Sequence, residues 1–148
     1  MTSHDQDDSR QIEALFQRYI RAWNARDFNC IAHEVYRTPV PVFDTEATST
    51  LETPEAIVNL LSGLRGELDG AGFTHSELVD VSHCNLGGGL AFASFHYRRF
   101  NSRDPDAGKE VLSSAYILRR YADGWRCVAH VVQPQVSRLR CVPGSTTA

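Results

Sequence analysis

The chain has 148 residues, 42% of them hydrophobic and 22% charged, with a formal net charge of −3 at pH 7. That length suits one domain burying roughly 68–70% of its unfolded surface, which needs neither disulfides nor a metal ion to stay folded. The mildly acidic balance argues against a nucleic-acid partner, and no apolar run approaches the about 18 residues of a membrane span.

Residues 1–8 are polar and acidic, without the basic-then-apolar layout of a secretory leader, so they read as a disordered start to a cytoplasmic protein. A helical period follows. Ile12, Leu15, Phe16, Tyr19, Ile20 and Trp23 recur at three- and four-residue steps and share one face, with Asp8 and Gln11 spaced as a capping box. Asp27 is placed to cap a second, short helix whose apolar side is Phe28, Ile31, Val35 and Tyr36. Pro39 and Pro41 stop helix, because each lacks an N–H and restricts its predecessor. Val40, Val42 and Phe43 then open an extended piece running to about Thr50. Thr53-Pro54-Glu55 is a cap, a first-turn proline and an N-terminal acid in order. The buried stripe of this third helix is Ile57, Leu60, Leu61, Leu64 and Leu68, and Gly70 and Gly72 close it.

From Phe73 the period becomes strand-like, giving strands over 73–84, 90–100, 109–121 and 125–136. Turn residues separate them, among them a Gly87-Gly88-Gly89 run and an Asp123-Gly124 hairpin signal. No helix follows the glycine run, so it is a hairpin and not a phosphate loop. The pattern defines an α+β fold over residues 9–136, with three helices on the concave face of a curved antiparallel or mixed sheet. Residues 137–148 form a C-terminal tail, small and polar from Pro143. Large apolar residues occupy both alternating sets of 90–100 (Leu90, Phe92 and Phe100 against Phe95 and Tyr97), so the outer face also needs cover. A second copy of the chain would supply it, which predicts a homodimer.

Cys30, Cys84, Cys127 and Cys141 form no C-x-x-C pair, and without a leader they read as reduced thiols, two disulfides being the alternative. No metal is expected, since His33-Glu34 lacks the second histidine of a zinc helix.

Three segments carry a resemblance: Tyr19-Ile20-Arg21-Ala22-Trp23-Asn24-Ala25-Arg26-Asp27, Thr53-Pro54-Glu55-Ala56-Ile57, and Tyr116-Ile117-Leu118-Arg119-Arg120-Tyr121 leading through Asp123-Gly124-Trp125. Over roughly residues 9–136 the chain resembles the nuclear transport factor 2-like superfamily, which includes ketosteroid isomerase, SnoaL-type polyketide cyclases and scytalone dehydratase. The resemblance implies a conical cavity between sheet and helices and a homodimer on the outer sheet face. Carried onto ketosteroid isomerase, it puts Tyr19 where a tyrosine donates to the substrate oxygen and Asp44 close to the proton-moving aspartate. Ser114 falls at the position of a further acid, a departure from that family.

The residues themselves support more than one reading. Asp44 beside Val42 and Phe43 would be a better base if burial raised its pKa, or it caps a turn. Tyr19 is a donor to a developing oxyanion or a core residue. His130, within Val128-Ala129-His130-Val131-Val132, is an alternative base. Trp125, five positions away, is expected on the opposite strand face, and which of the two points inward is open. One member of each pair Arg98-Arg99 and Arg119-Arg120 must face the helices, to bind a substrate carboxylate or to pair on a rim. His75, His83 and His96 read as structural or exposed. Trp23, Phe95, Tyr97, Ser114 and Tyr116 are the expected ligand-contacting walls. The functional expectation is a cone that binds a small, largely apolar ligand, with cofactor-free proton transfer of the isomerase, cyclase or dehydratase kind. The alternative is a non-catalytic binding or dimerisation module.

Overall fold

A computed structural model describes residues 3–141, with side chains from residue 6 onward. Helix α1 (Ser3–Asn24) begins earlier than its periodicity predicts. Asp8 is not a cap: it lies buried within the helix, 3.1 Å from Arg120 Nη1. A long-range ion pair has overridden a local polar pattern. The predicted stripe, from Ile12 to Trp23, is buried against the sheet. At the end of α1 the Asn24 side chain receives the backbone N–H of Ser76 and donates to its carbonyl, each at 2.8 Å, tying the helix to a strand.

Helix α2 (Phe28–Cys30) is capped by Asp27, whose carboxylate accepts from Cys30 N at 3.1 Å. It continues as a π-helical turn over Ile31–Val35 that buries Ile31, Ala32 and Val35. The single extended piece predicted after Pro39 is two strands, β1 (Val40–Phe43) and β2 (Thr48–Leu51), paired antiparallel. Helix α3 (Pro54–Gly70) starts as the sequence predicts, with Thr53 Oγ1 accepting from Ala56 N at 3.2 Å. Losing that cap in Thr53→Ala should cost about 1 kcal/mol in denaturant unfolding. The α3 stripe is only partly buried. Ile57 and Leu61 are covered, but Leu60 and Leu64 are 53% and 38% exposed.

The sheet is open, curved and mixed. Strands β3 (Phe73–Gly87), β4 (Leu90–Asn101), β5 (Leu112–Tyr121) and β6 (Gly124–Val131) form an antiparallel meander, and β1 adds to β6 in parallel. The order is β2-β1-β6-β5-β4-β3. Gly87, Gly88 and Gly89 turn the β3–β4 hairpin with φ of 84°, 63° and 79°, values that side-chain-bearing residues adopt with strain. β5 begins later than predicted because Ala107–Lys109 form a 3₁₀ turn.

β6 stops at Val131, short of the predicted Val136, because the chain leaves the sheet there and crosses the outer face of β3 and β4. Ser94 Oγ meets Gln133 Oε1 at 3.1 Å, His96 Nε2 donates to Ser137 O at 2.9 Å, and Arg138 pairs with Asp80 at 3.0 Å. Leu139 N donates to Ser82 Oγ, and Cys141 is disulfide-bonded to Cys84. The expectation of four reduced thiols is thereby corrected for one pair, while Cys30 and Cys127 are free. His96 is wholly buried, its other nitrogen 2.6 Å from Asp80 Oδ1. So the chain itself covers part of the face for which a second copy was expected. The polar tail predicted from Pro143 lies outside the described residues. No helix among them is long and apolar enough to cross a membrane.

Candidate functional site

Between α1, α3 and the concave face of the sheet lies a cavity of about 230 Å³. Seven of the eight predicted site residues line it: Tyr19, Trp23, Phe95, Tyr97, Ser114, Tyr116 and His130. Strand alternation explains most of this. Phe95, Tyr97 and Arg99 take alternate positions on β4, and Ser114 and Tyr116 do so on β5, with Phe95 directly opposite Ser114. The exposed Leu60 and Leu64 of α3 also line the cavity.

His130 reaches the cavity because β6 is irregular. Ile117 is level with Ala129 but Leu118 with Cys127, so Val128 is an extra residue in the strand. The bulge places Trp125, opposite Arg120, and His130, opposite Tyr116, on one face. The expectation that these two residues point opposite ways is therefore wrong. Strict alternation fails across a bulge, and nothing in Cys127-Val128-Ala129 marks one.

Three tyrosine hydroxyls form a chain along one wall. Tyr36 Oη lies 3.3 Å from Tyr19 Oη and donates to Tyr116 Oη at 3.3 Å. Burial, opposed by hydrogen bonds from Tyr36 and Tyr116, pushes the Tyr19 pKa up to about 12. Burial likewise raises Tyr36 and Tyr116 well above the usual phenol range. All three stay protonated at neutral pH and can act as donors. His130 stacks on Tyr116 with ring centroids 4.8 Å apart. Burial lowers its pKa below the usual 6.5, against a smaller upward pull from the Asp44 charge, and among the described residues no protein group hydrogen-bonds the ring. A neutral, unengaged imidazole beside protonated hydroxyls can accept a proton while a hydroxyl stabilises developing negative charge.

Asp44 is not part of this wall. It is exposed in the β1–β2 turn, where its Oδ1 accepts from Thr45 N at 2.6 Å and its own N–H donates to Ala47 O at 2.9 Å. The turn-capping reading describes its placement, and the carboxylate reaches His130 only as a nearby charge.

Tyr36, Arg99 and Ser76 line the cavity but were not among the predicted contacts. Tyr36 carried a signal, since it falls on the apolar side of the second helix. Ser76 carried none. Of the arginine pairs, Arg98 donates to Gly108 O and Lys109 O, and Arg120 pairs with Asp8. Arg99 faces the cavity.

A larger cleft, of about 460 Å³, opens between the middle of α1 and the β5–β6 hairpin. Two of its arginines are already engaged, Arg120 with Asp8, and Arg126 with Asp123 and Trp125 O. The cone cavity, with its unengaged imidazole, is the better candidate site. Among the described residues no three His, Cys, Asp or Glu side chains gather where they could hold a metal ion.

A curved sheet wrapped around helices with a chamber between them defines the NTF2-like class. The chain belongs to it: the family NTF2-like protein (DUF6841) matches residues 7–135. No curated protein sequence matches the chain. Among solved structures, an NTF2-like protein with a cystatin-like fold from Novosphingobium aromaticivorans superposes with a TM-score of 0.68 at 21% identity, over 86% of this chain and 82% of that one. Aln2 from a Streptomyces species gives 0.63 at 16% identity, over 90% and 92%. A candidate scytalone dehydratase from Novosphingobium aromaticivorans gives 0.65 at 12% identity, over 100% and 99%. At these identities the likeness is one of fold.

Proposed function

We propose that the protein binds a small, largely apolar, aromatic compound in the cone cavity and catalyses a cofactor-free proton transfer on it, of the isomerase, cyclase or dehydratase kind. The observation that carries this reading is His130: an imidazole on the cavity wall, stacked on Tyr116, with no hydrogen-bonded partner among the described residues. In this scheme His130 takes the proton, and a hydroxyl of the Tyr19–Tyr36–Tyr116 chain turns toward the oxygen on which charge develops. At about 230 Å³ the chamber lies just below the usual range of about 300–1,000 Å³ for small-molecule sites, which favours one- or two-ring ligands. Leu60 and Leu64, exposed beside the chamber, lose that exposure when a ligand packs on them. The structural neighbour described as a candidate scytalone dehydratase fits the same class of chemistry.

The reading is tested by calorimetric titration with 2-naphthol, a neutral two-ring probe. Saturable one-to-one binding is expected, and it should be lost when the cavity is filled by Ser114→Phe. Failure of the unmodified protein to bind contradicts the proposal.

A second reading, a non-catalytic binding module, is favoured by one observation: the three tyrosine hydroxyls already satisfy one another. Binding of 2-naphthol without any base-catalysed turnover would select it. The proposal includes a homodimer, through the part of the outer face that residues 132–141 leave open, where Phe92, Ile117 and Val131 are only half-buried. Light scattering at micromolar concentration should return twice the chain mass, and a monomer would remove this part.

A further inference from the structure

Arg99 and Ser76 are directly opposite each other on neighbouring strands, and both line the cavity. Ser76 is 2% exposed and its hydroxyl has no hydrogen-bond partner. Arg99 is half-buried, its Nε is buried with no partner, and its guanidinium lies 5.5 Å from the Tyr97 ring centroid. Among the described residues no carboxylate pairs with it. The other inward arginines differ. Arg65 donates to Asp69 and to Trp23 O, and Arg120 pairs with Asp8. Leaving two adjacent polar groups buried and unpaired is costly unless something else completes them.

We infer that the ligand of the cone cavity carries a carboxylate, held by the guanidinium of Arg99 and the hydroxyl of Ser76 at the β3–β4 end of the chamber; this rests on the reading of that cavity as a ligand site. A carboxylate presents two coplanar oxygens that match the guanidinium fork, and the serine hydroxyl adds a third donor. One guanidinium and one hydroxyl suit a single negative charge better than a phosphate dianion. Asn24 is a positioning residue here, because it fixes both backbone groups of Ser76 at 2.8 Å. On the sheet, His130 is level with Tyr116 and Ala93, several residues along β4 from Arg99. The anion is therefore anchored away from the imidazole, and the bound molecule is oriented along the chamber.

The test compares 2-naphthoate with 2-naphthamide, which keeps the shape and removes the charge, by calorimetry on the full chain. Charged hydrogen bonds of this kind should make the carboxylate bind about 10- to 100-fold tighter. The gap should close in Arg99→Gln and narrow in Ser76→Ala. Equal affinities in the unmodified protein, or a gap that survives Arg99→Gln, overturn the inference while leaving the chamber intact as a ligand site. Tighter binding of 2-naphthyl phosphate than of 2-naphthoate overturns the assignment to a carboxylate. If neither naphthalene compound binds, the chamber reading and this inference fall together.

Discussion

Replacing His130 by alanine is expected to lower base-catalysed turnover by about 10²-fold or more, whereas Asp44→Asn leaves it within a few-fold. A suitable assay is the ring opening of 5-nitrobenzisoxazole, a two-ring compound that needs only proton abstraction. The imidazole faces the cavity and has no competing partner, while the Asp44 carboxylate is spent on closing its own turn. The sign of the pH dependence follows from burial, which disfavours the imidazolium. The active, neutral form therefore persists below the usual histidine pKa of 6.5, so the midpoint of the acidic fall in activity should lie below pH 6.5. The same group couples folding to pH. The unfolded chain binds its proton first, so His130 contributes stability above pH 6.5 that is lost as pH falls toward its lowered folded value. A His130→Ala variant with undiminished turnover, or an activity plateau reached only well above pH 7, would remove His130 from the role of base.

Cutting the Cys84–Cys141 bond should cost the fold about 4 kcal/mol. The two cysteines are 57 residues apart, and closing a loop of that length restricts the unfolded chain by about that amount. Urea unfolding with and without reductant, or of Cys141→Ser, measures the loss. Hydrogen exchange should then show the strands under residues 132–141 opening first, because Ser94 and His96 are buried beneath that segment. Asp80 holds the same crossing from the other side. Burial raises its pKa, but hydrogen bonds from Arg138 and His96 outweigh this and leave it below the usual carboxylate value. Its contribution to stability is present above the pKa of an unfolded aspartate and is lost as pH falls through its lowered folded value. Unchanged stability after reduction would show that the segment is held by its polar contacts alone.

The helices were legible where a local rule acted without competition. Thr53-Pro54-Glu55 announced α3, and the α1 stripe identified its buried face and with it Tyr19 and Trp23. Alternation along β4 and β5 likewise carried Phe95, Tyr97, Ser114 and Tyr116 to the cavity. What stayed hidden depended on partners distant in sequence. Asp8 looked like a cap because Arg120 is invisible from its neighbourhood, and β6 looked longer than it is because the crossing of residues 132–141 exists only once β3 and β4 are paired. Leu60 and Leu64 matched a buried stripe, but the helix turns that part of its apolar side toward the opening. A resemblance and the apolar neighbours Val42 and Phe43 point Asp44 toward a base's position, but its carboxylate accepts from Thr45 N in the β1–β2 turn, a contact that neither signal foretells. Ser76 and Arg99 acquire meaning only as a cross-strand pair.

A crystal structure of the protein soaked with 2-naphthol tests most directly whether the space between helices and sheet is a working chamber. Electron density is expected for the bicyclic ring against Phe95 and Tyr116, within reach of His130, with Leu60 and Leu64 closed over it. A space filled by side chains, with no density for the compound at saturating concentration, would contradict it.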